Sequence, residues 1–273
     1  MKKSLLFLIL PILGGVLAVQ GQILQSDFSG VSRVGVAHTD ANDATANGNR
    51  NVGVSGATWT TGGGLGLAAI TGTLTMGDYT WANIGAGLVL TTRDGGVWRS
   101  GAASDVRTTG TTEADRANFQ FNAGSVGGSA AAPMNVAVFN LVFTVGTAFA
   151  PEISFRAGTA ATNGSWDVNT AANNGDFEVR ISPITISGND GTVEFADAVS
   201  VGSGVIGAGA GPVVSTSTIT TINPGTYLLE IRLSGQGGQR ASIDDLALIP
   251  EPSTYAALFG LLALGLVAWR RRR

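Results

Sequence analysis

The chain of 273 residues contains no cysteine, one histidine, and no lysine after Lys3. Without cysteine it has no disulfide bond, thiolate nucleophile or thiolate-bound metal, so its fold depends on an apolar core and on hydrogen bonds. A single histidine, His38, cannot build a multi-histidine metal site, and we interpret it as a polar residue at the start of a loop. The missing lysine excludes a phosphate-binding P-loop.

Positive charge is scarce in the long middle segment of the chain. Residues 22–249 carry 10 arginines against 18 carboxylates, which gives a formal charge of −8. Proteins that bind nucleic acids or anionic lipids present basic patches. The acidic middle segment therefore indicates that nucleic acid is not a partner.

The amino-terminal residues have the pattern of an export signal. Lys2 and Lys3 precede an apolar run at 5–13, and small residues follow as far as Gly21. Because charge, apolar run and small residues come in this order, we predict a secretory signal peptide at residues 1–21, cleaved after Ala18 or Gly21. The alternative is a core helix at the amino terminus, which does not require charge, apolar run and small residues to come in this order.

A second apolar segment lies near the end of the chain. Residues 253–269 form an uncharged run of 17 residues, about 25 Å of helix at roughly 1.5 Å per residue. A hydrocarbon core is about 30 Å thick, so the run predicts a short transmembrane helix. The arginines at 270–273 stay cytoplasmic by the positive-inside rule, which leaves the middle segment outside. An amphipathic surface helix is the alternative, but the run has no polar face.

These features together resemble a known sorting signal. The resemblance rests on Pro250, Glu251 and Pro252, on the apolar run, and on Arg270, Arg271, Arg272 and Arg273. This arrangement is similar to the tail of PEP-CTERM proteins, which Gram-negative bacteria that make extracellular polysaccharide export. For residues 250–273 the resemblance implies recognition by an exosortase-like membrane enzyme, processing near the Pro-Glu-Pro motif, and delivery to the cell envelope, cell surface or matrix. It implies nothing about the activity of residues 22–249.

Alternating residues predict strands across the middle segment. At 227–234, Leu229, Ile231 and Leu233 share one face, and Glu230 and Arg232 share the other. The run at 136–145 is apolar on both faces, which is typical of a central strand. With frequent Asn-Gly and Pro-Gly turns, this pattern predicts an all-β jelly-roll-type β-sandwich at residues 22–249. Two small β domains and a solenoid are the alternatives.

Two further features concern the arrangement of this sandwich. The segments 39–66 and 203–212 are rich in small residues, and we predict long loops there. The run at 227–249 resembles the last hairpin of jelly-roll, galactose-binding-like modules. That resemblance implies a first strand near residues 26–28, lying beside the last strand.

Tryptophans are the candidate ligand-binding residues. Aromatic rings stack on the apolar faces of sugars, and Trp59, Trp98 and Trp166 lie in segments rich in glycine and threonine outside the alternating runs, as does Trp81. Asp167 follows Trp166 and supplies a hydrogen-bond acceptor. We predict a glycan-binding role for Trp166, Asp167, Trp59 and Trp98. The alternative for each tryptophan is a place in the core or at its edge.

Carboxylates are the remaining reactive groups. Glycoside hydrolysis needs two carboxylates about 5 to 10 Å apart, whereas the neighbours Asp244 and Asp245 point to opposite faces of a strand. We interpret these two as strand-end residues or as ligands of a structural calcium ion, the one cofactor the sequence suggests. Glu178, Glu194 and Glu230 share either a solvated face or a catalytic surface.

The sequence thus predicts a non-catalytic protein with no assigned catalytic residue. We expect an exported protein of the envelope or matrix, anchored by its carboxyl-terminal helix before processing, that acts in adhesion or in binding extracellular polysaccharide. A purely structural surface protein without a ligand is the first alternative. A polysaccharide hydrolase is the second.

Overall fold

A computed structural model describes residues 23–28, 32–34, 38–40, 53–77, 79–94, 107–108, 117–122, 135–160, 168–169, 176–206, 209–210, 213–235, 240–250 and 270. The strands, in chain order, are β1 (Ile23–Ser26), β2 (Ser32–Val34), β3 (His38–Asp40), β4 (Gly53–Ser55), β5 (Thr60–Gly62), β6 (Leu65–Leu67), β7 (Ile70–Met76), β8 (Tyr79–Ile84), β9 (Val89–Asp94), β10 (Arg107–Thr108), β11 (Ala117–Asn122), β12 (Asn135–Val145), β13 (Pro151–Ala160), β14 (Val168–Asn169), β15 (Asp176–Ser187), β16 (Asp190–Val193), β17 (Val199–Val205), β18 (Gly209–Ala210), β19 (Val213–Ser217), β20 (Gly225–Gly235) and β21 (Arg240–Pro250). A short 3-10 helix spans Phe195–Asp197.

The larger sheet is built around the longest alternating segments of the sequence. It contains 12 strands in the order β2-β4-β9-β12-β20-β15-β16-β7-β8-β3, with β17 beside β15 and β6 beside β12. Strand β12 lies between β9 and β20, and its register with β20 runs without a break from Asn135 opposite Gly235 to Val145 opposite Gly225. The apolar run at 136–145 is therefore a central strand, as the sequence predicts.

The smaller sheet contains the first and last strands. Its 7 strands run in the order β10-β11-β21-β1-β5, with β13 on the other edge of β21 and β19 beyond β13. Leu24 of β1 lies opposite Leu248 of β21, so the predicted neighbourhood of the first and last strands is confirmed. The predicted final hairpin is wrong, because β20 and β21 belong to different sheets.

The two sheets pack face to face around one apolar core. The larger sheet contributes side chains such as Phe139, Leu229 and Ile231, and the smaller sheet contributes others such as Phe155 and Leu248, all of them buried. Burial of apolar side chains from two facing sheets defines a β-sandwich. The protein is an all-β sandwich, and the predicted fold class is confirmed.

A second core covers the outer face of the larger sheet. Strand β16 pairs in parallel with β7, which makes the sheet curl so that the hairpin of β7 and β8 folds over this face. Leu74 and Trp81 of the hairpin pack with Val142 and Leu228 of the central strands. Adjacent residues of β12 and β20 thus enter different cores, which explains why these strands are apolar on both faces.

Two predicted loops are corrected by the structure. The segment 39–66 contains β4, β5 and β6, and the segment 203–212 contains the end of β17 and the whole of β18. At Gly202 a side chain would collide with Thr216, whose hydroxyl donates to the Val201 carbonyl oxygen at 3.0 Å. The glycine therefore permits close approach of β17 to β19. Trp81 is also misplaced by the sequence, since it lies in β8 and is 1% exposed.

The two predicted membrane signals fall outside the described residues, namely the signal peptide at 1–21 and the helix at 253–269. Within the part of the chain that the structure describes, no helix has the length and apolarity needed to span a bilayer.

Neighbouring leucines on β20 provide a matched test of the two cores. Leu228 and Leu229 are both fully buried, one in each core. Replacing either with alanine is expected to lower the free energy of unfolding by about 2 to 5 kcal/mol, since each change leaves a cavity in close-packed surroundings. Urea denaturation followed by tryptophan fluorescence measures both losses. A near-neutral Leu228→Ala would mean that the outer face is solvated and that the second core does not exist.

Candidate functional site

The main charged cluster lies on the outer face of the larger sheet. Glu178 of β15 lies opposite Arg232 of β20, and Arg180 lies opposite Glu230. Residues directly opposite in an antiparallel pair share a face, and the alternating neighbours of these four side chains are buried in the sandwich core. We call these four residues the charged ladder. The predicted sharing of a face by Glu178 and Glu230 follows directly from the register.

The inner pair of the ladder is short and well covered. Nη2 of Arg180 lies 3.0 Å from Oε2 of Glu230 and donates a hydrogen bond to its Oε1 at 3.1 Å. The Glu230 side chain is only 6% exposed, and the guanidinium of Arg180 lies 5.7 Å from the ring centroid of Phe195, within cation–π range. This pair is held by the fold and has little freedom to move.

Burial controls the ionisation of Glu230. Loss of hydration raises the pKa of this carboxyl above its ordinary value, while the charge of Arg180 and its hydrogen bond act in the opposite direction. The negative charge of Glu178 adds to the increase, and the nearby Ser182 hydroxyl reduces it. Burial disfavours the charged form of any carboxyl, and here it outweighs the arginine.

The outer pair of the ladder is more open. Nη1 of Arg232 lies 3.7 Å from Oε2 of Glu178, too far for a hydrogen bond, and the Glu178 side chain is 42% exposed. Glu178 also lies opposite Ser203 of β17, which is exposed. Burial lowers the pKa of the Arg232 guanidinium. Arginine side chains carry a positive charge at neutral pH. Arg232, Glu178 and Ser203 thus form a polar row across three strands, which we call the outer row.

The polar side chains continue onto the central strand. Asn140 of β12 lies opposite Glu230 and is fully buried, and its Nδ2 donates to the Leu90 carbonyl oxygen at 3.4 Å. The next pair on the same face of β12 and β20 is Val142 opposite Leu228, and both residues belong to the second core. The charged ladder therefore begins where the apolar cover of the β7 and β8 hairpin ends.

Glu194 takes a different position from the ladder. It lies just before the 3-10 helix, and its amide donates to the Pro183 carbonyl oxygen at 2.9 Å. Of the three glutamates predicted to share a surface, Glu178 and Glu230 lie on the same face of the larger sheet. The ring of Phe195, the residue after Glu194, lies beside Arg180.

Trp59 packs on the edge of the sandwich core. Its ring lies edge to face with Phe28 at a centroid distance of 5.7 Å, and the residue is half-buried. Phe28 is itself fully buried and meets Phe139 in the same way at 5.7 Å. One part of the indole therefore stabilises the core, and the other part is open to solvent. Trp98, Trp166 and Asp167 lie outside the described residues.

Directly after Asp244, Asp245 and Leu246 form a β-bulge in the last strand. The register of β13 with β21 shifts between Ser154 and Arg156, so that β21 contains one extra residue there. Asp245 has a positive φ of 48°, an uncommon conformation for a non-glycine residue, and its amide donates to Oδ1 of Asp244 at 2.8 Å. On the far edge of β21 the partner changes from β11 to β1 at this same place.

The bulge places the two carboxylates apart. Asp244 is fully buried, whereas the Asp245 side chain is 43% exposed and its Oδ2 lies 3.1 Å from Nε of Arg156. One carboxylate is buried and the other is paired with an arginine at the surface, so this arrangement does not direct both carboxylates toward one calcium ion. Within the described residues, no group of three or more histidines, cysteines, aspartates or glutamates is arranged for a metal. Calcium at Asp244 and Asp245 stays a prediction.

The carboxyl-terminal segment matches a known motif. Residues 248–273 match the family model described as the PEP-CTERM protein-sorting motif, so the predicted resemblance is confirmed. The match begins inside β21, at Leu248. A motif of this kind implies an exosortase-sorted surface protein, with export and processing at the membrane of the cell envelope. A search among curated proteins found no match to the chain.

Several solved structures have a similar strand arrangement at low identity. TmCBM61 in complex with β-1,4-galactotriose is 10% identical, with 60% of this chain and 88% of that chain covered and a TM-score of 0.29. The K1 cleaved adhesin domain of Lys-gingipain from Porphyromonas gingivalis W83 is 8% identical, with 85% and 99% covered and a TM-score of 0.33. The K3 domain of the same protein is 11% identical, with 59% and 90% covered and a TM-score of 0.32.

The ionisation of Glu230 gives a pH test. Because its folded-state pKa is raised, the folded protein holds this proton more tightly than the unfolded chain does. The contribution of Glu230 to stability is therefore full at low pH and is lost as the pH rises through the raised pKa. Glu230→Gln removes this dependence, so the unfolding free energy of the wild type minus that of the variant should fall with pH across this window.

Urea denaturation of both proteins at a series of pH values measures that difference. Other carboxyls, such as Asp190, whose pKa is lowered by hydrogen bonds from Thr73, are common to both proteins and cancel. A difference that rises with pH would mean that the attraction of Arg180 outweighs burial.

Proposed function

We propose that the protein is an exported surface protein, sorted by an exosortase-like membrane enzyme, whose sandwich binds extracellular polysaccharide without cleaving it. The observation that carries the first part is the sorting motif at 248–273. In the unprocessed chain the predicted helix at 253–269 anchors the sandwich to the membrane, with Arg270 to Arg273 on the cytoplasmic side. The predicted signal peptide at 1–21 starts the export.

The outer row supports binding of a polar ligand. Arg232 supplies N–H donors, Glu178 supplies acceptor oxygens, and Ser203 supplies both, on three neighbouring strands. Adjacent strands lie about 4.8 Å apart, so the row offers hydrogen-bonding groups at regular intervals on a rigid surface. Such groups fit the hydroxyls of a sugar chain that crosses the strands.

Aromatic side chains are further candidate positions apart from the outer row, since Trp59 packs on the sandwich core and not on the outer face of the larger sheet. Trp59 has an open ring surface beside the core, and Trp98, Trp166 and Asp167 are the further candidates from the sequence. Because Trp59 packs against Phe28, its side chain loses little conformational entropy when a sugar stacks on the ring. We propose these residues as stacking and hydrogen-bonding positions for polysaccharide.

A structural surface protein without a ligand is the first alternative. Its support is the mutual pairing within the charged ladder, where each arginine already has a glutamate opposite. In that case the ladder only holds β15 to β20. A wild-type protein that binds no glycan on an array would favour this alternative.

A polysaccharide hydrolase is the second alternative, and the raised pKa of Glu230 is the observation that favours it. General acids in glycosidases have raised pKa values, but they must also reach the glycosidic oxygen. The Glu230 side chain is 6% exposed and bound to Arg180, which argues against such contact. Release of reducing sugar from matrix polysaccharide would favour the hydrolase, and its loss in Glu230→Gln would identify the acid.

A glycan array on the detergent-solubilised full chain tests the binding proposal. Replacing Glu178 and Arg232 together with glutamine removes the outer pair without leaving one charge unpaired. If each side chain donates or accepts about one hydrogen bond of roughly 1 kcal/mol, glycan affinity should fall about tenfold or more. The matched control replaces Arg156 with glutamine and Asp245 with asparagine, a surface pair on the smaller sheet.

The control pair should leave both affinity and melting temperature nearly unchanged, because exposed ion pairs contribute little to stability. Equal affinities for all three proteins would remove the outer row from the glycan site. A loss in the control variant as well would point to a general effect of surface charge.

Deletion of residues 251–273 tests the sorting proposal. This cut keeps β21 complete, because the strand ends at Pro250. We expect the full chain to appear in the membrane fraction and at the cell surface, and the shortened chain to appear in a soluble exported fraction. Immunoblots of whole-cell fractions measure the distribution. If both forms reach the same compartment, the tail is not a sorting signal.

A further inference from the structure

Several strand ends meet where the sorting motif leaves the sandwich. Pro250, the last residue of β21, lies opposite Pro151, the first residue of β13. Ser217, the last residue of β19, lies opposite Glu152. The amide of Thr218 donates to the Pro151 carbonyl oxygen at 3.1 Å, so the loop after β19 begins at the same end. We call this part of the sandwich the tail end.

Other segments extend the tail end across both sheets. Ile23, the residue before Leu24, pairs with Gly62 at the turn between β5 and β6. The amide of Gly146 donates to the Gly64 carbonyl oxygen at 2.7 Å. Phe149 forms an isolated bridge with Ile222. The residues 61–65, 146–151 and 217–226 therefore lie at or near the tail end.

These three segments carry no charged residue. They contain only glycine, alanine, threonine, serine, proline, asparagine and apolar residues. Along the strands that end here, the nearest described charge is Glu152, whose Oε1 accepts a hydrogen bond from the Ser215 hydroxyl at 3.3 Å. The rest of the surface includes the charged ladder and the pair of Arg156 with Asp245. The three segments at the tail end are thus uncharged, and the described charges beside them include Glu152, opposite Ser217, and Glu194, whose amide donates to the carbonyl oxygen of Pro183.

An apolar side chain projects from this end. Ile219 lies two residues after β19 and is 88% exposed, the highest value among the large apolar residues that the structure describes. A single exposed isoleucine is common in soluble domains and needs no special explanation. Here, however, it stands in an uncharged segment next to the exit of the sorting motif.

The chain between the sandwich and the membrane segment is short. Only Glu251 and Pro252 separate Pro250 from the apolar run at 253–269. A fully extended chain covers about 3.3 to 3.6 Å per residue, so this connection reaches at most about 10 Å. The headgroup region of one leaflet is about 5 to 8 Å thick. A chain anchored by this run must therefore hold the tail end close to the headgroups.

From these observations we infer that the tail end rests on the outer face of the inner membrane before processing, with Ile219 inserted among the lipid headgroups. This inference rests on the proposed anchoring by residues 253–269. Three uncharged segments and one apolar side chain fit the interface, where each charged group would cost free energy as it loses water. Docking also fixes the orientation of the sandwich, so that the Pro-Glu-Pro motif lies at the membrane surface.

The absence of cysteine permits a site-specific test. Ile219→Cys and Val213→Cys each introduce a single thiol for a bimane label. Val213 is the matched control, because it is 65% exposed at the start of β19, across from Arg156, whereas Ile219 follows the end of that strand. The labelled full chains are reconstituted into vesicles of phosphatidylethanolamine and phosphatidylglycerol with brominated acyl chains. We expect quenching at position 219 to be several-fold stronger than at position 213.

Flotation of the same vesicles separates the two proposals. If the full chain floats with the lipid but both labels are quenched equally, the docking inference is overturned and the anchoring stands. If the chain does not float, the anchoring fails and the docking fails with it. Flotation with strong quenching at position 219 alone supports both. The melting temperatures of the two cysteine variants, which should equal that of the wild type, exclude misfolding as the cause of a difference.

Discussion

The pairing of β21 on both of its edges is the constraint on which the arrangement of this protein depends. Strand β13 occupies one edge along nearly the whole length, and β11 and β1 share the other. Leu248 is consequently fully buried in the sandwich core. Because the sorting motif begins at this residue, the motif starts inside the folded domain and not on a flexible linker. The position of the tail is therefore set by the core.

The bulge at Asp245 and Leu246 allows this double pairing. Strand β21 changes partner from β11 to β1 at the bulge, and the extra residue increases the local twist that such a change requires. The positive φ of Asp245 costs free energy for a residue with a side chain. The hydrogen bond from the Asp245 amide to Asp244 offsets part of that cost.

The sequence predicts the strands whose apolar pattern is long and regular. The alternation at Leu229, Ile231 and Leu233, and the continuous apolar run of β12, correspond to the two central strands. The short strands at Gly53–Ser55, Thr60–Gly62 and Leu65–Leu67 have no such pattern, since they are held by pairing with residues distant in sequence. Long-range pairing of this kind has no local signal, and it is why the segment 39–66 resembles a loop.

The candidate site was predictable to a similar degree. Alternation places Glu178 and Glu230 on one face, but only the register places an arginine opposite each. The half-burial of Trp59 and the complete burial of Trp81 both depend on how β8 and the segment before β5 fold over the sheets. Glycine and threonine around a tryptophan do not reveal such contacts. The sorting motif was readable because its pattern is local in the sequence.

Folding and sorting are coupled through the end of β21. If the chain were cut before Leu248, the strand would lose its contacts with Leu24 and Ile153, and with them part of the core. A cut after Pro250 removes no residue of the strand. Processing compatible with the folded sandwich must therefore fall on the carboxyl-terminal side of Pro250, within the short connection to the apolar run. A cut on that side would leave every strand of the sandwich and both of its cores complete.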